Sequence, residues 1–60
     1  MNNAISEALL NVVNANIGML ASDNVLIKLS AIDTLECVMD EATRYPMAQE
    51  AARRALDSSV

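Results

Sequence analysis

The sequence has no histidine, phenylalanine or tryptophan, and it has one cysteine, Cys37, and one tyrosine, Tyr45. Without histidine and with a single thiol, the chain lacks the residues that usually form zinc sites and cannot form an internal disulfide. A single aromatic ring also leaves little for the base stacking on which single-stranded nucleic-acid binding depends. We therefore expect no metal, no cofactor and no direct binding of nucleic acid.

Basic residues are also scarce: 4 lysines and arginines stand against 8 aspartates and glutamates, and the formal net charge is −4. Phosphate backbones repel such a chain. No basic residue precedes Lys28, so the positive segment of a secretory signal is missing. Apolar runs such as residues 25–27 are too short to cross a bilayer. Together with the lone thiol, these features predict a cytoplasmic protein, of the producing cell or of an infected host, without a membrane partner.

Apolar residues make up 53% of the 60 residues, and nearly all of them are aliphatic or alanine. This content argues against disorder, and the length allows a single domain, residues 1–60. A core of this size contributes only about 3–5 kcal/mol unless a disulfide, a metal or a second chain supports it. With the first two excluded, we expect homodimerisation or docking on a larger protein to supply the support.

The first predicted helix covers residues 3–21, with Asn3 as a candidate N-cap. Polar residues form one narrow strip along it: Glu7, Asn11, Asn14 and Gly18. Apolar residues occupy nearly all of the remaining circumference, which is more than a helix on the surface of a small domain needs. This breadth predicts that the helix is contacted from two sides.

The second predicted helix covers residues 24–44. Its apolar face consists of Ile27, Ala31, Ile32, Leu35, Val38, Met39 and Ala42. Leu26 and Leu29 project from the opposite side, which leaves two interpretations. Either residues 25–29 are irregular and a shorter helix starts at Ser30 with a capping box, or one long helix has its first turns buried on both sides. We favour the long helix, because the segment has too few β-branched residues to indicate a strand.

The third predicted helix covers residues 46–57 and begins at the only proline, Pro46. Proline cannot continue a helix but suits its first position, and it keeps the preceding Tyr45 away from helical geometry. The apolar side of this helix consists of Met47, Ala48, Ala51, Ala52, Ala55 and Leu56. Because alanine makes this side nearly flat, we expect it to pack closely on another helix.

The short connections predict a small all-α helical bundle, with two main antiparallel helices and a shorter third helix, completed by homodimerisation. Ion pairs are expected between Asp40 and Arg44 in the second helix. In the third helix Glu50 can pair with Arg53 or Arg54.

Four carboxylates form an acidic stripe on the second helix: Asp33, Glu36, Asp40 and Glu41. This stripe has three interpretations. It is a solvated helix face, an acidic surface that attracts a basic partner protein, or a catalytic or metal-binding cluster. The last interpretation is the weakest, because catalytic carboxylates need a concave site that so short a chain can hardly build. Tyr45 joins the stripe as a candidate partner contact, since tyrosine is enriched at binding hot spots; the alternative is that its ring only covers the core.

Three residues are candidates for self-association. Asn16 lies within the apolar arc of the first helix, where it is either half exposed or buried in a helix–helix interface whose register it fixes. Leu26 and Leu29 lie away from the main apolar face of the second helix.

Cys37 is predicted to be inert, because no basic neighbour in the sequence would lower its pKa.

No motif in the sequence assigns a family or a reaction. The leading hypothesis is a small, acidic, non-enzymatic regulator or inhibitor that acts by stoichiometric protein–protein binding. One example would be a phage or bacterial accessory protein, such as an anti-CRISPR-type inhibitor that covers a basic nucleic-acid-binding surface. The acidic stripe favours this hypothesis. The alternative, favoured by the wide apolar arc of the first helix, is a self-associating structural or assembly subunit.

Overall fold

The computed structural model describes residues 3–59, which form three α-helices: α1 (Asn3–Met19), α2 (Val25–Glu41) and α3 (Pro46–Ser58). All three helix pairs are in contact, most extensively α2 with α3. Ile5 and Leu9 near the start of α1 line the same groove as Val38 near the end of α2, so these two helices run antiparallel. The all-α bundle predicted from the sequence is confirmed.

The core lies where the three helices meet. Its buried side chains are Val13, Leu35, Val38, Ala48 and Ala52. Val13 and Leu35 are the largest fully buried side chains. The two alanines allow the backbone of α3 to approach its neighbours closely, as the flat apolar side of this helix predicted. Larger side chains, among them Leu9, Leu20 and Leu56, are partly buried against this core.

Asn24 starts α2 as an N-cap. Its side-chain Oδ1 accepts hydrogen bonds from the backbone N–H of Leu26 at 2.9 Å and of Ile27 at 3.4 Å. A side-chain acceptor of this kind satisfies N–H groups that have no partner in the first turn of a helix. The prediction of one long helix is therefore confirmed, and the alternative start at Ser30 is wrong.

The predicted burial of the first turns of α2 on both sides is wrong for the single chain. Leu26 is 77% exposed and Leu29 is 55% exposed. The physical reason is the number of layers: the face of α2 that is buried carries Ala31, Leu35 and Val38, and three short helices provide no further layer to cover the opposite face.

The end of α2 lies at Glu41, three residues before the predicted end. Ala42 follows as the C-cap, and the N–H of Tyr45 donates to the Ala42 carbonyl at 3.0 Å, which turns the chain. The predicted ion pair between Asp40 and Arg44 is not formed, because Arg44 lies beyond the helical geometry that would bring the two side chains together.

The start of α3 at Pro46 is confirmed, with Tyr45 as the N-cap residue. The Tyr45 carbonyl accepts the N–H groups of Ala48 at 3.0 Å and Gln49 at 3.1 Å. The helix extends to Ser58, one residue past the predicted end. The assignment of Met47 to the buried side is wrong: it is 70% exposed.

The ion pairs predicted for α3 are both present. Glu50 accepts hydrogen bonds from Arg53 and, at 2.9 Å, from the Nε of Arg54. Arg53 also reaches Asp57, with 3.0 Å between Nη1 and Oδ2. All of these side chains are substantially exposed, so each pair contributes little to stability.

The end of α1 at Met19 comes two residues before the predicted end. The N–H of Leu20 is shared between the carbonyls of Asn16 and Ile17, at 3.1 and 3.2 Å, as in the tightened last turn of many helices. The prediction that the side chain of Asn3 caps α1 concerns atoms outside the described part of the structure.

Within residues 3–59, none of the helices combines the length and the apolar character needed to cross a lipid bilayer.

Candidate interaction surfaces

One exposed face of α2 joins apolar and acidic residues. Going along the helix, this α2 outer face consists of Leu26, Leu29, Asp33, Glu36 and Asp40, all of them exposed. Their spacing alternates between three and four residues, which places them in one row along a helix. The row lies opposite the buried Ala31, Leu35 and Val38. The structure therefore brings the two exposed leucines and three of the predicted carboxylates onto one surface.

Within residues 3–59, no cation forms an ion pair with the carboxylates of the α2 outer face. The ion pairs among residues 3–59 all lie within α3, and none involves Asp33, Glu36 or Asp40. Glu36 follows Asp33 by three residues and precedes Asp40 by four, so like charges lie on adjacent turns. Such pairs destabilise a helix by about 0.2–0.5 kcal/mol each. The row of carboxylates therefore makes the helix less stable, with no compensating pair in the described chain.

The position of the charges in α2 is also unfavourable. Asp40 and Glu41 lie in the last turn, which contains no basic residue. The helix macrodipole places partial negative charge at this end and favours cations there. Negative potential is thus concentrated toward the C-terminal half of α2.

Cys37 is exposed beside the acidic residues of α2. Its thiol pKa is raised above the ordinary value, first by desolvation and then by the negative charges of Asp33 and Glu41, with smaller effects of Asp40 and Glu36. A raised pKa lowers the thiolate fraction and hence the reactivity. The direction of this shift agrees with the prediction that Cys37 is inert.

The other two predicted partner contacts, Glu41 and Tyr45, lie elsewhere. Both line a shallow groove between α1 and α2, which we call the α1–α2 groove. Its walls are formed by Ile5, Ala8, Leu9 and Val12 on one side and by Thr34, Cys37, Val38, Glu41 and Ala42 on the other. The ring of Tyr45 is half buried and packs against the core. The five predicted partner-binding residues therefore divide between two surfaces.

A second shallow groove separates α1 from α3. Ile17 and Leu20 form one wall, and Ala51 and Ala55 lie on the other. Glu50 and Arg54 border it, but they are paired with each other. This groove therefore offers an apolar floor with a neutralised border.

An exposed apolar row on α1 was not predicted as a separate surface. It consists of Ile5, Ala8, Val12, Ala15 and Met19, all of them exposed. The wide apolar arc seen in the sequence divides into this row and a second face around the buried Val13. Only the second face is covered within the described chain. The alternation of three- and four-residue spacings was the signal that could have identified the row beforehand.

Asn16 lies between the two faces of α1 and is half buried. Its Nδ2 donates a 2.8 Å hydrogen bond to the carbonyl of Val12, four residues earlier in the same helix. The side chain is therefore satisfied locally, and it pairs with no other helix within the described chain.

No group of three or more cysteine, aspartate or glutamate side chains within residues 3–59 is arranged to hold a metal ion. No family model, curated protein or solved structure matches this chain. Function is therefore inferred from the charges, shapes and exposures of these surfaces.

Proposed function

We propose that the protein is a small, non-enzymatic regulator or inhibitor that binds another protein stoichiometrically through the α2 outer face. The partner presents a basic surface with an apolar patch at one end. An inhibitor that covers a basic nucleic-acid-binding surface, as anti-CRISPR proteins do, is one form that this function takes. The lone thiol favours a reducing compartment, which is the cytoplasm of the producing cell or of an infected host.

The observation that carries the proposal is the uncompensated row of carboxylates beside exposed leucines. Asp33, Glu36 and Asp40 repel one another along the helix, and a row that only kept the chain in solution would gain stability from interspersed lysines or arginines. A basic partner would remove the repulsion and gain from the complementary charge. Leu26 and Leu29 would supply the apolar area that charge alone does not provide.

The test compares three tagged proteins: the wild type, a face variant and a control of equal charge. The face variant carries Asp33→Asn with Glu36→Gln. The control carries Glu7→Gln with Asp23→Asn, which removes the same two charges from outside the α2 outer face. Each is used to capture proteins from a lysate of the encoding organism at low and at high salt, and helicity is checked by circular dichroism.

We expect the wild type and the control to retain the same basic protein at low salt and to release it at high salt, while the face variant retains much less. With the recovered partner, the face variant should associate several-fold more slowly at low salt, and the difference should shrink as salt screens the charges. Equal association rates for the face variant and the control would remove the carboxylates from the interface.

Two further variants, a test and its control, examine the apolar half of the α2 outer face. Leu26→Ser should raise the dissociation rate, because it removes apolar area that the partner buries. Met47→Ser changes an exposed apolar residue of α3, outside the row, and should leave the rate unchanged. If both variants dissociate like the wild type, the leucines do not belong to the interface.

A self-associating structural or assembly subunit is the second candidate function. The exposed apolar row on α1 favours it, because an unpartnered row of this kind suits helix–helix association. In the capture experiment this function would return only further copies of the chain, independently of the two substitutions in α2.

A further inference from the structure

The exposed apolar row of α1 has the pattern of a helix–helix seam. Ile5, Val12 and Met19 are seven residues apart, and Ala8 and Ala15 lie between them. In a coiled coil these are the a and d positions, whose side chains insert between those of the facing helix. The row therefore fits a helix as its partner more closely than it fits an irregular loop.

Charge indicates which helix can occupy the row. Glu7 is the charged residue of α1, and it projects from the polar strip rather than from the row. The chain as a whole carries −4, so two copies that met through α2 would bring carboxylates together. Two copies that meet through the α1 row place its uncharged side chains against one another, and of the acidic residues of α2 only Glu41 borders this face, in the α1–α2 groove beside Ile5 and Val12.

The sizes in the row favour an antiparallel arrangement. Large residues occupy one set of heptad positions and alanines occupy the other. In an antiparallel pair each a position faces a d position, so Ile5 would face Ala15 of the second copy, and Val12 would face its Ala8. Large against small is the combination that interdigitates without gaps. Antiparallel helices also bring opposite ends of their macrodipoles together.

The available area suits a modest interface. A 17-residue helix is about 25 Å long, and with the bordering edge of α2 the face is about 20 Å wide. Such a strip approaches the area of the smaller specific interfaces, which bury roughly 600 Å² on each partner. That area is a small part of the 4262 Å² surface of the chain, and it corresponds to a reversible association.

We propose that two copies of this chain associate through the α1 row as an antiparallel helix pair with two-fold symmetry. The inference does not depend on the binding function assigned to α2, since the two surfaces are different. If the chain proves to be monomeric, the proposed function of the α2 outer face is unaffected. If the capture experiment recovers no partner, the proposed dimer is unaffected.

Light scattering on a sizing column at high micromolar concentration tests the association. We expect the wild type at twice the 6.4 kDa mass of the chain. Val12→Glu, which puts two carboxylates into the seam of a symmetric dimer, should halve the measured mass. Asn14→Glu adds the same charge on the polar strip of the same helix and should leave the mass unchanged. Helicity of both variants, measured by circular dichroism, separates dissociation from unfolding.

A wild type that remains at 6.4 kDa under these conditions would overturn the proposal and assign the row to a foreign partner. An equal loss of mass in Asn14→Glu would also overturn it, because general repulsion rather than the row would then decide the outcome.

Orientation is tested with one spin label per chain. Gly18→Cys in a Cys37→Ser background offers a site on the polar strip, where an added Cβ meets no atom within 4 Å. With Ile5 facing Ala15, the two labels should lie about 24 Å apart along the helix axes. A parallel pair would place their attachment points about 10 Å apart. The shorter distance would overturn the antiparallel arrangement.

Discussion

The side-chain Nε2 of Gln49 in α3 donates a 2.7 Å hydrogen bond to the backbone carbonyl of Met39 in α2. Met39 lies in the last turn of its helix, where carbonyls have no N–H partner further along the helix. Because α2 stops at Glu41, a side chain from the next helix satisfies this carbonyl. The same hydrogen bond connects the end of α2 to the first turn of α3 and helps to set how the two helices meet.

Replacing Gln49 with alanine should weaken this connection. The variant leaves a partly buried carbonyl without its donor, and we expect the free energy of unfolding to fall by about 1 kcal/mol. Urea unfolding followed by circular dichroism measures the change. Asn11→Ala is the control, because it also replaces a helical amide with alanine but at an exposed position. Equal effects of the two substitutions would show that the Gln49 hydrogen bond contributes nothing.

Replacing Pro46 with alanine should lower stability without lowering helicity. Proline restricts the unfolded chain, and losing that restriction at a compatible site destabilises by about 0.4–1 kcal/mol. Alanine also permits residues 42–45 to become helical, which would extend α2 toward α3 and disturb the packing of α3. Circular dichroism and urea unfolding measure both properties. Met47→Ala, at the exposed next residue, is the control. If Pro46→Ala has the same stability and the same partner binding as this control, the turn at Pro46 has no structural role.

The pH dependence of stability should include a contribution from Glu50. Hydrogen bonds from Arg53 and Arg54 lower the pKa of this carboxyl in the folded protein. The carboxylate therefore stabilises the fold at pH values above its ordinary pKa, and this contribution is lost as the pH falls through the lowered pKa. The Tm of Glu50→Gln should lie below that of the wild type at neutral pH, and the difference should shrink in acid.

Glu7→Gln is the matched control for this titration, because Glu7 forms no ion pair within the described residues. The Tm of this variant at neutral pH should stay close to that of the wild type. A difference for Glu50→Gln that stays constant from neutral pH into acid would show that the arginine contacts do not stabilise the folded state.

Alkylation of Cys37 should be slow although the thiol is exposed. Desolvation and the surrounding carboxylates raise its pKa, so the reactive thiolate is scarce at neutral pH. We expect iodoacetamide to react more slowly than with a cysteine in an unstructured peptide. Asp33→Asn with Asp40→Asn should raise the alkylation rate. The increase should be only partial, because the desolvation of the Cys37 thiol remains. A rate equal to that of the peptide would contradict the raised pKa.

Much of the fold could be predicted from local chemistry. Proline at position 46 dictated where α3 begins because it has no N–H and a fixed φ angle. The apolar face around Leu35 and Val38 followed from helical periodicity. The end of α2 could not be predicted to the residue, because nothing in residues 42–44 forbids a helix. The second helix was predicted to start at residue 24, and the structure makes this residue, Asn24, the N-cap of a helix that begins at Val25.

The candidate surfaces were only partly predictable. The acidic residues of α2 were visible as a stripe, but their division was not: Glu41 and Tyr45 lie in the α1–α2 groove, while the other three share a face with Leu26 and Leu29. On α1 the sequence showed an apolar arc that was too wide, and it did not show which part of the arc the core would cover.

The sequence by itself determined the helical class, the position of the corner and the sign of the surface charge, because each depends on residues that are close together along the chain. Only the tertiary structure decided which apolar residues are buried. Val13 and Val12 are neighbours of the same type, yet Val13 is fully buried and Val12 remains exposed. The physical reason is that burial depends on which side of α1 the other two helices approach, and that choice is made by the packing of all three helices together.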